Sequence, residues 1–380
     1  MVDSTRQESV RSYVLDMKLT CCLDLRPSAE RRSTMPNLTP AQRLAARIHA
    51  GWNLGNTLDA IKRDVKSGEI VSPREAETAW NNPPVTKSLI HAVQDAGFDA
   101  VRLPVTWVQH LDCDGRIDPA WLDRVEEITG WILDAGMVCM LNVHHDAGSH
   151  GWLQATGMCH ERYGERFEYL WRQIAERFVG TGEKLVFEAF NEMLDGKEHW
   201  SETMDDDAYS AHNRWHQRFV DAVRACGGYN AARILSLQSY SAGHTPRTLN
   251  AFRMPADTDT GRIILQVHNY DPQGFCWLRS DTHPLRDTWG TDADHAQIDA
   301  LMTALSAFAA KHGAPLMIGE FGSEDKQNTA ARARHAACFT EKAREQGIPC
   351  FWWDCGRFAL MDRHTGKVLH REIVDALCRS

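Results

Sequence analysis

The amino-acid sequence predicts a single (β/α)8 barrel, the TIM barrel of the α/β class, and three observations support this. A length of 380 residues falls within the range that one such barrel covers with its insertions. Short apolar runs alternate with amphipathic stretches, as in parallel strands joined by helices. Polar side chains follow the apolar runs where each run ends, and in a barrel these ends meet at one mouth.

The apolar runs number eight, a count that a closed barrel requires and a doubly wound sheet rarely reaches. The predicted strands cover residues 48–55, 99–105, 137–145, 184–191, 233–240, 262–270, 315–322 and 349–354. The predicted helices between them cover 85–96, 119–135, 161–179, 207–226, 294–312 and 329–346. The pattern is weak after the fifth strand, where we expect only a short helix.

The two ends of the chain differ in their patterning. Residues 1–36 mix charges and isolated apolar residues without a sustained period, so we predict a poorly ordered N-terminal extension. At Thr39-Pro40 a helix-capping residue is followed by proline in the first turn, which marks the start of regular structure. Residues 37–380 are then expected to form one (β/α)8 domain.

Composition restricts the partners. The net charge of -9 and pI near 6.0 argue against nucleic acid or an anionic membrane as the main partner, because both attract a basic face. A neutral partner fits better, and indole faces among the 13 tryptophans suit either sugar stacking or core filling. The eleven cysteines show no zinc-type spacing and no full disulfide framework, so neither a metal nor another cofactor is indicated.

Two glutamates stand at the ends of strands that face one another. Glu192 ends the fourth run in the segment FEAFNEM, and Glu320 ends the seventh in MIGEFG. In an eight-stranded barrel these two ends lie across the mouth from each other. Paired carboxyl groups roughly 5 to 5.5 Å apart can cleave a glycosidic bond with retention, one attacking the sugar carbon and one protonating the departing oxygen.

An ordered set of motifs adds to this reading. The segments GWNLGNTLDA, ETAWNNP, FDAVRLPVTW, LNVHHD, FEAFNE, VHNYDP, IGEFG and FWWD occur in this order. Together they resemble the cellulase-type glycoside hydrolase family 5, from about Asn37 to the end of the chain. The resemblance implies that residues 37–380 are the catalytic domain of a retaining, endo-acting hydrolase of β-1,4-linked glucan. It makes Glu192 the acid/base and Glu320 the nucleophile, although Met193 replaces the proline that many members carry.

The same resemblance implies a set of substrate-binding positions around the two glutamates. They are Asn53, Arg102, His144, His145, Asn191, His268, Tyr270 and Trp353. Arg102 would support the charged form of Glu320, because a neighbouring cation favours a carboxylate. Asn191 would bond the hydroxyl next to the reacting carbon, and Trp353 would form a stacking floor. Burial and the charge of Glu320 should keep the proton on Glu192.

The remaining positions have less specific roles. His144 and His268 would line the reacting subsite, and Tyr270 would hydrogen-bond near the nucleophile. His145 belongs to a doublet seen in only part of the family. Asn53 could equally cap the end of its strand. Four further tryptophans are candidate sugar platforms: Trp80, Trp107, Trp277 and Trp289. Trp277 and Trp289, in or near long loops, are the better candidates, and Trp107 fits the core better.

Two other functions fit the sequence less well. A metal-dependent hydrolase would use the 144–146 segment, but adjacent strand residues point to opposite faces and should not share one ion. A non-catalytic carbohydrate-binding barrel would lack one of the two carboxylates, and both are present.

The exact substrate and the setting stay open from the sequence. Xyloglucan, mixed-linkage β-glucan and β-mannan differ from cellulose-type chains in one hydroxyl, linkage or branch, so they remain alternative substrates. We expect a monomer that binds a β-glucan polysaccharide or oligosaccharide. A polymer substrate implies an extracellular location, although the sequence shows no export signal and no apolar run long enough for a membrane span.

Overall fold

The computed structural model describes residues 38–66, 68–148, 151–278 and 283–378. Within these ranges eight parallel strands follow one another around a closed barrel, with the first strand paired to the last. This confirms the predicted (β/α)8 fold. The strands are β1 (Gly51–Leu54), β2 (Ala100–Leu103), β3 (Val138–Asn142), β4 (Leu185–Glu188), β5 (Leu235–Gln238), β6 (Ile263–Asn269), β7 (Leu316–Phe321) and β8 (Cys350–Asp354). The extension predicted for residues 1–36 lies outside the described residues.

Helices cover the outside of the barrel. They are α1 (Pro40–Ala45), α2 (Pro73–Thr78), α3 (Lys87–Ala96), α4 (Pro119–Asp134), α5 (Gly157–Arg177), α6 (Asp206–Ala225), α7 (Pro246–Ala251), α8 (Gln273–Cys276), α9 (Asp292–His312), α10 (Thr329–Glu345) and α11 (Arg371–Cys378). All six helices predicted between strands are present, and the weak segment after β5 holds only the short α7. None of the described helices is both long enough and apolar enough to cross a membrane.

Local sequence explains where the helices begin and end. The Thr39 side chain accepts a hydrogen bond from the backbone of Gln42, and Pro40 occupies the first turn of α1, as the sequence predicts. Asp118 caps α4 in the same way, directly before a proline. Gly97 ends α3 with a φ of 114°, a conformation that favours glycine.

The core of the barrel domain consists of two apolar clusters. The larger one fills the space between strands and outer helices. The smaller one occupies the lower part of the barrel, where Ala41 and Leu44 of α1 meet Met140, Met317 and Phe351 of the strands. Because α1 covers that end with apolar side chains, the polar residues gather at the opposite mouth, where the strands end.

Candidate active site

The mouth of the barrel forms one cleft of about 550 Å³. Every predicted site residue except Asn53 and Arg102 lines it: His144, His145, Asn191, Glu192, His268, Tyr270, Glu320 and Trp353. The strands explain this convergence. Glu320, His268 and Trp353 lie in the last part of β7, β6 and β8, while Asn191 and Glu192 lie three and four residues beyond the end of β4.

The two glutamates meet at His268. Its Nδ1 lies 2.7 Å from Oε1 of Glu192 and 3.6 Å from Oε2 of Glu320. One side-chain oxygen of each glutamate and a ring nitrogen of His268 all lie within 4.8 Å of one another. The structure thus brings the two carboxyl groups, 128 positions apart in the chain, to facing sides of one small space.

Arg102 lies beneath this pair and uses all five of its N–H donors. Nε and Nη2 donate to the two oxygens of Glu188 at 2.8 and 2.7 Å, and Nη1 donates to Glu320 at 2.6 Å. Nη1 also donates to the amide oxygen of Asn53 at 3.1 Å, and Nη2 to that of Asn191 at 2.8 Å. The planar guanidinium therefore fixes Glu320 and Asn191 relative to each other.

The charge of Arg102 is shared between two carboxylates. Burial alone would raise the pKa of Glu188, but Arg102 outweighs it and holds that pKa below its usual value. Burial raises the pKa of Glu320, while His268 and Arg102 act in the opposite direction and do not fully compensate. The predicted effect of Arg102 on Glu320 therefore has the right sign, but burial has the larger influence on the pKa of Glu320. Arg102 and Tyr270 donate hydrogen bonds to Glu320, and both favour its ionised form.

Glu192 is in a different environment. Burial raises its pKa to about 7, Glu188 adds to the rise, and Arg102 and His145 oppose it. The side chain keeps 21% of its surface exposed toward the cleft. Near neutral pH this carboxyl group can both hold and release a proton, which is the property of a general acid and base.

Hydrogen bonds set the orientation of the two site histidines. The amide nitrogen of Asn142 lies 3.0 Å from Nδ1 of His144 and also donates to Glu188 at 3.0 Å. Nδ1 of His144 is therefore an acceptor, and the ring proton lies on Nε2. Burial lowers the pKa of His268 to about 4 and that of His144 well below its usual value, so both imidazoles are neutral.

Three further side chains complete the cleft. Because the amide oxygen of Asn191 accepts from Arg102, its NH2 group remains to donate to a ligand. The Tyr270 hydroxyl donates to Oε2 of Glu320 at 2.8 Å, and burial raises its pKa well above the usual value. The Trp353 ring lies parallel to His144, with ring centres 5.8 Å apart and an interplanar angle of 7°. Trp353 lines the cleft with 9% of its surface exposed.

Asn53 does not reach the cleft. It is fully buried and its amide nitrogen donates to the carbonyl oxygen of Gly319 at 3.0 Å, while its oxygen accepts from Arg102. The substrate-binding role considered for Asn53 is therefore wrong, and the residue is structural: its amide bonds carbonyl oxygens within β7 and β8 and does not cap the end of a strand. Arg102 is fully buried as well and acts on a ligand only through Glu320 and Asn191.

The prediction that His144 and His145 should not share one ion is also wrong. His144 and His145 follow the end of β3, where strict alternation of faces no longer applies, and their ring centres are 4.5 Å apart. Asp146 does not join them, because it accepts from the backbone of Trp107 and from Trp152. Asp59 does, with ligand atoms of all three residues within 4.8 Å of one another.

Only some of the tryptophans lie where the sequence predicts. Trp277 lines the cleft, its ring centre 4.8 Å from that of Tyr270, and Trp107 is fully buried, both as expected. Trp289 is only 4% exposed, so its prediction as a sugar platform is wrong. Sequence reasoning missed Trp200, which lines the cleft from the loop after β4. No local pattern separates a loop tryptophan at the mouth from one that folds inward.

A (β/α)8 barrel with two glutamates facing each other at the carboxyl ends of β4 and β7 has the architecture of a barrel glycoside hydrolase. The sequence profile of "Cellulase (glycosyl hydrolase family 5)" matches residues 64–359. The chain belongs to glycoside hydrolase family 5.

Named relatives agree with this family. Over 88% of the length of this chain, the sequence is 36% identical to cellulase/esterase CelE of Acetivibrio thermocellus. Over 90% of the length of this chain, it is 32% identical to endoglucanase A of Clostridium longisporum. It spans 40% and 66% of the lengths of these two relatives.

Solved structures give the same result. A family 5 glycoside hydrolase from Prevotella bryantii B14, in complex with a xyloglucan tetradecasaccharide, is 32% identical with a TM-score of 0.81 over 89% of this chain and 97% of that one. A family 5 lichenase from Caldicellulosiruptor sp. F32, in complex with cellotetraose, is 32% identical with a TM-score of 0.82 over 89% and 94%.

Proposed function

We propose that this domain is an endo-acting β-1,4-glucanase that works with retention, using Glu320 as nucleophile and Glu192 as acid/base. One observation carries the proposal: oxygens of the two carboxyl groups lie within 4.8 Å of each other. Retaining glycosidases hold their carboxyl groups roughly 5 to 5.5 Å apart, whereas inverting enzymes leave roughly 6.5 to 9.5 Å for a water molecule. The short separation therefore supports direct attack by one carboxylate.

In the first step Glu320 attacks the anomeric carbon and Glu192 gives its proton to the departing oxygen. The donors Arg102 and Tyr270 keep Glu320 ionised and aim its free lone pair at the sugar. A pKa near 7 allows Glu192 to be protonated when substrate binds. Asn191 is placed to donate to the hydroxyl beside the reacting carbon, an interaction that strengthens in the transition state.

In the second step water cleaves the glycosyl ester. Glu192, now a carboxylate, takes a proton from the incoming water, whose oxygen forms the new bond to the anomeric carbon. The bond from that carbon to Glu320 breaks, and the nucleophile returns to its first state. Two inversions give net retention, and the proton that Glu192 receives restores it for the next cycle.

The character of the cleft supports a neutral sugar chain as substrate. The cleft holds about 550 Å³, enough for more than one pyranose ring, and its lining combines the aromatic side chains of Trp353 and Trp277 with neutral polar groups such as Asn191. The two relatives with bound oligosaccharides carry xyloglucan and cellotetraose, respectively. Decorated and mixed-linkage β-glucans therefore stand beside cellulose-type chains as candidate substrates. Since one barrel supplies every group in this mechanism, we also propose that it acts as a monomer.

Azide rescue tests the two roles. With an aryl cellobioside whose phenol is very acidic, Glu192→Ala should still be glycosylated at Glu320 and then stall, because no base remains to activate water. Azide needs no base, so it should restart turnover and give the β-glycosyl azide. Glu320→Ala has no nucleophile, so any rescue there must give the α-azide by a single inversion.

The anomeric coupling constant of the azide product, read by proton NMR, decides between the outcomes. An α product from Glu192→Ala, or a β product from Glu320→Ala, would reverse the assignment. Wild-type activity measured on carboxymethyl cellulose, lichenan, xyloglucan and mannan then ranks the substrates. The same assay in EDTA tests the metal-dependent alternative, since the mechanism above uses no metal and should be unaffected.

A further inference from the structure

Glu188 is a third carboxyl group near the two glutamates, and the mechanism above does not use it. It is the last residue of β4, it is fully buried, and it does not line the cleft, so it cannot touch a substrate. A charge in such a position is costly unless neighbouring groups compensate it. The partners of Glu188 therefore indicate its role.

Four hydrogen bonds from three strands hold the Glu188 carboxylate. Nε and Nη2 of Arg102 on β2 donate to its two oxygens at 2.8 and 2.7 Å, which is the paired geometry of a strong guanidinium–carboxylate contact. The amide nitrogens of Asn142 on β3 and Gln238 on β5 donate to Oε1 at 3.0 and 2.8 Å. All four donors favour the charged form of Glu188, so it is a fixed anion.

This anion shares one cation with the nucleophile. Nη1 of Arg102 donates to Glu320 at 2.6 Å, while the two bonds to Glu188 occupy the other side of the guanidinium. Without the charge of Glu188, the buried Arg102 would be balanced by Glu320 alone. A carboxylate paired one to one with a buried cation is stabilised as an anion, and that stabilisation is lost when it forms a bond. Glu188 therefore weakens the hold of Arg102 on the nucleophile.

The first step of the mechanism removes the charge of Glu320. A lone pair of Glu320 forms the bond to the anomeric carbon, the bond to the departing oxygen breaks, and the proton of Glu192 goes to that oxygen. The negative charge thus leaves the carboxylate that Nη1 of Arg102 contacts, and Glu188 stays bonded to Arg102 as an anion. We propose that Glu188 is a positioning residue, the permanent counter-ion of Arg102, which allows Glu320 to give up its charge in forming the glycosyl ester. This inference rests on the proposed function and deepens it.

The same charge acts on the acid/base. The charged and titratable groups around Glu192 come from β2, the segment after β3, β4, β6 with the residue that follows it, and β7: Arg102, His145, Glu188, His268, Tyr270 and Glu320. Arg102 and His145 favour loss of the Glu192 proton, and Glu188 opposes it. Removing the charge of Glu188 should therefore let Glu192 lose its proton at lower pH.

A slow substrate separates the two chemical steps. Dinitrophenyl 2-deoxy-2-fluoro-β-cellobioside should trap Glu320 as an ester, and its phenol can leave without a proton from Glu192. Trapping then reports the loss of charge on Glu320, and release of the ester in water reports its return. In Glu188→Gln trapping should be at least about tenfold slower, because Arg102 is left without a carboxylate partner, whereas release should change less than about threefold. A merely structural role, in which the variant misplaces Arg102, would slow both steps alike.

Two further variants complete the test. Glu77→Gln is a matched control, since the buried Glu77 accepts two bonds from Arg124, at 2.8 and 3.0 Å, away from the cleft. It should lower the free energy of unfolding and leave both rates unchanged. The double variant Glu188→Gln/Gln238→Glu moves the negative charge across the 2.8 Å bond to β5 and should recover most of the trapping rate. It also provides the test if Glu188→Gln alone does not fold.

The pH profile gives an independent measurement. The fall of kcat/KM with rising pH should lie at lower pH in Glu188→Gln than in wild type, and Glu77→Gln should not move it. Equal slowing of trapping and release in Glu188→Gln, or in the double variant if only that folds, would overturn the counter-ion role, as would an unmoved pH profile in Glu188→Gln. Failure of the reagent to trap the wild type would instead overturn the retaining mechanism.

Discussion

Replacing Arg102 by lysine tests whether the buried guanidinium sets the geometry of the nucleophile. Lysine keeps the positive charge but loses the planar fork that bonds Glu188, Glu320, Asn53 and Asn191 at once. The lysine ammonium group can form hydrogen bonds with only some of these partners. The side chains of Glu320 and Asn191 should then no longer be held in a fixed relative position, and attack at the anomeric carbon depends on that position.

The size of the effect follows from the bond count. Five N–H donors are used in the wild type and an ammonium offers three, so at least two bonds are lost. At about 1.5 to 3 kcal/mol for each bond to or from a charged group, the total loss is about 3 to 6 kcal/mol. If half of the lower figure is lost from the stabilisation of the transition state, kcat falls about tenfold. The remainder lowers the free energy of unfolding, because Glu188 stays buried with fewer donors.

The assay compares kcat on an aryl cellobioside with the free energy of unfolding in urea. Arg124→Lys is a matched control, since Arg124 on α4 forms the same two-bond pair with the buried Glu77, at 2.8 and 3.0 Å, away from the cleft. The control should lose stability and keep its kcat. If Arg102→Lys also keeps its kcat while losing similar stability, Arg102 is a folding residue only and the reasoning about Glu320 is refuted.

Three other predictions follow from the burial and stacking described above. Because the first step needs protonated Glu192, with a pKa near 7, kcat/KM should fall as pH rises through about 7 in a pH-rate profile, and a flat profile to pH 9 would contradict this. Burial holds the pKa of His212 to about 3 and that of His216 well below its usual value. In the unfolded chain both histidines take up protons below about pH 6.5, whereas in the folded protein they stay neutral. The free energy of unfolding should therefore fall by about 1.4 kcal/mol per histidine for each pH unit below about 6.5. His216→Leu should make urea unfolding less dependent on pH between 7 and 5, and an unchanged slope would show that His216 can take up a proton in the folded state. Trp353→Ala should weaken productive binding by about 1 to 3 kcal/mol, seen as a raised KM on cello-oligosaccharides, and unchanged kinetics would assign Trp353 to the core.

The barrel could be predicted because each strand is short, apolar and almost fully buried, so its limits are visible in the sequence. The predicted run at 315–322 encloses β7 (Leu316–Phe321), and the run at 262–270 encloses β6 (Ile263–Asn269). Strand ends then placed Glu192 and Glu320 at one mouth without any knowledge of side-chain contacts. The helices α2, α8 and α11 were not predicted, since they are short and two of them lie within long loops.

The errors have local and long-range physical causes. Asn53 turns inward because three carbonyl oxygens of β7 and β8 converge on its amide nitrogen. Trp289 is buried because its ring packs against His295 and His335, at centre distances of 4.9 and 5.4 Å. His144 and His145 share a side because the chain leaves β3 before them. The partners of Asn53, and His335 beside Trp289, lie far away in the sequence and therefore leave no local pattern.

The sequence by itself determined the fold class, the order of the strands and the two glutamates, because strand periodicity and motif order are properties of consecutive residues. Tertiary structure alone decided how the charge of Arg102 is divided between Glu188 and Glu320, why the pKa of Glu192 rises to about 7, and which tryptophan faces the cleft. Those properties depend on burial and on distances of a few ångströms between segments far apart in the chain. Closure of the barrel sets these distances, and electrostatic interactions change steeply over them.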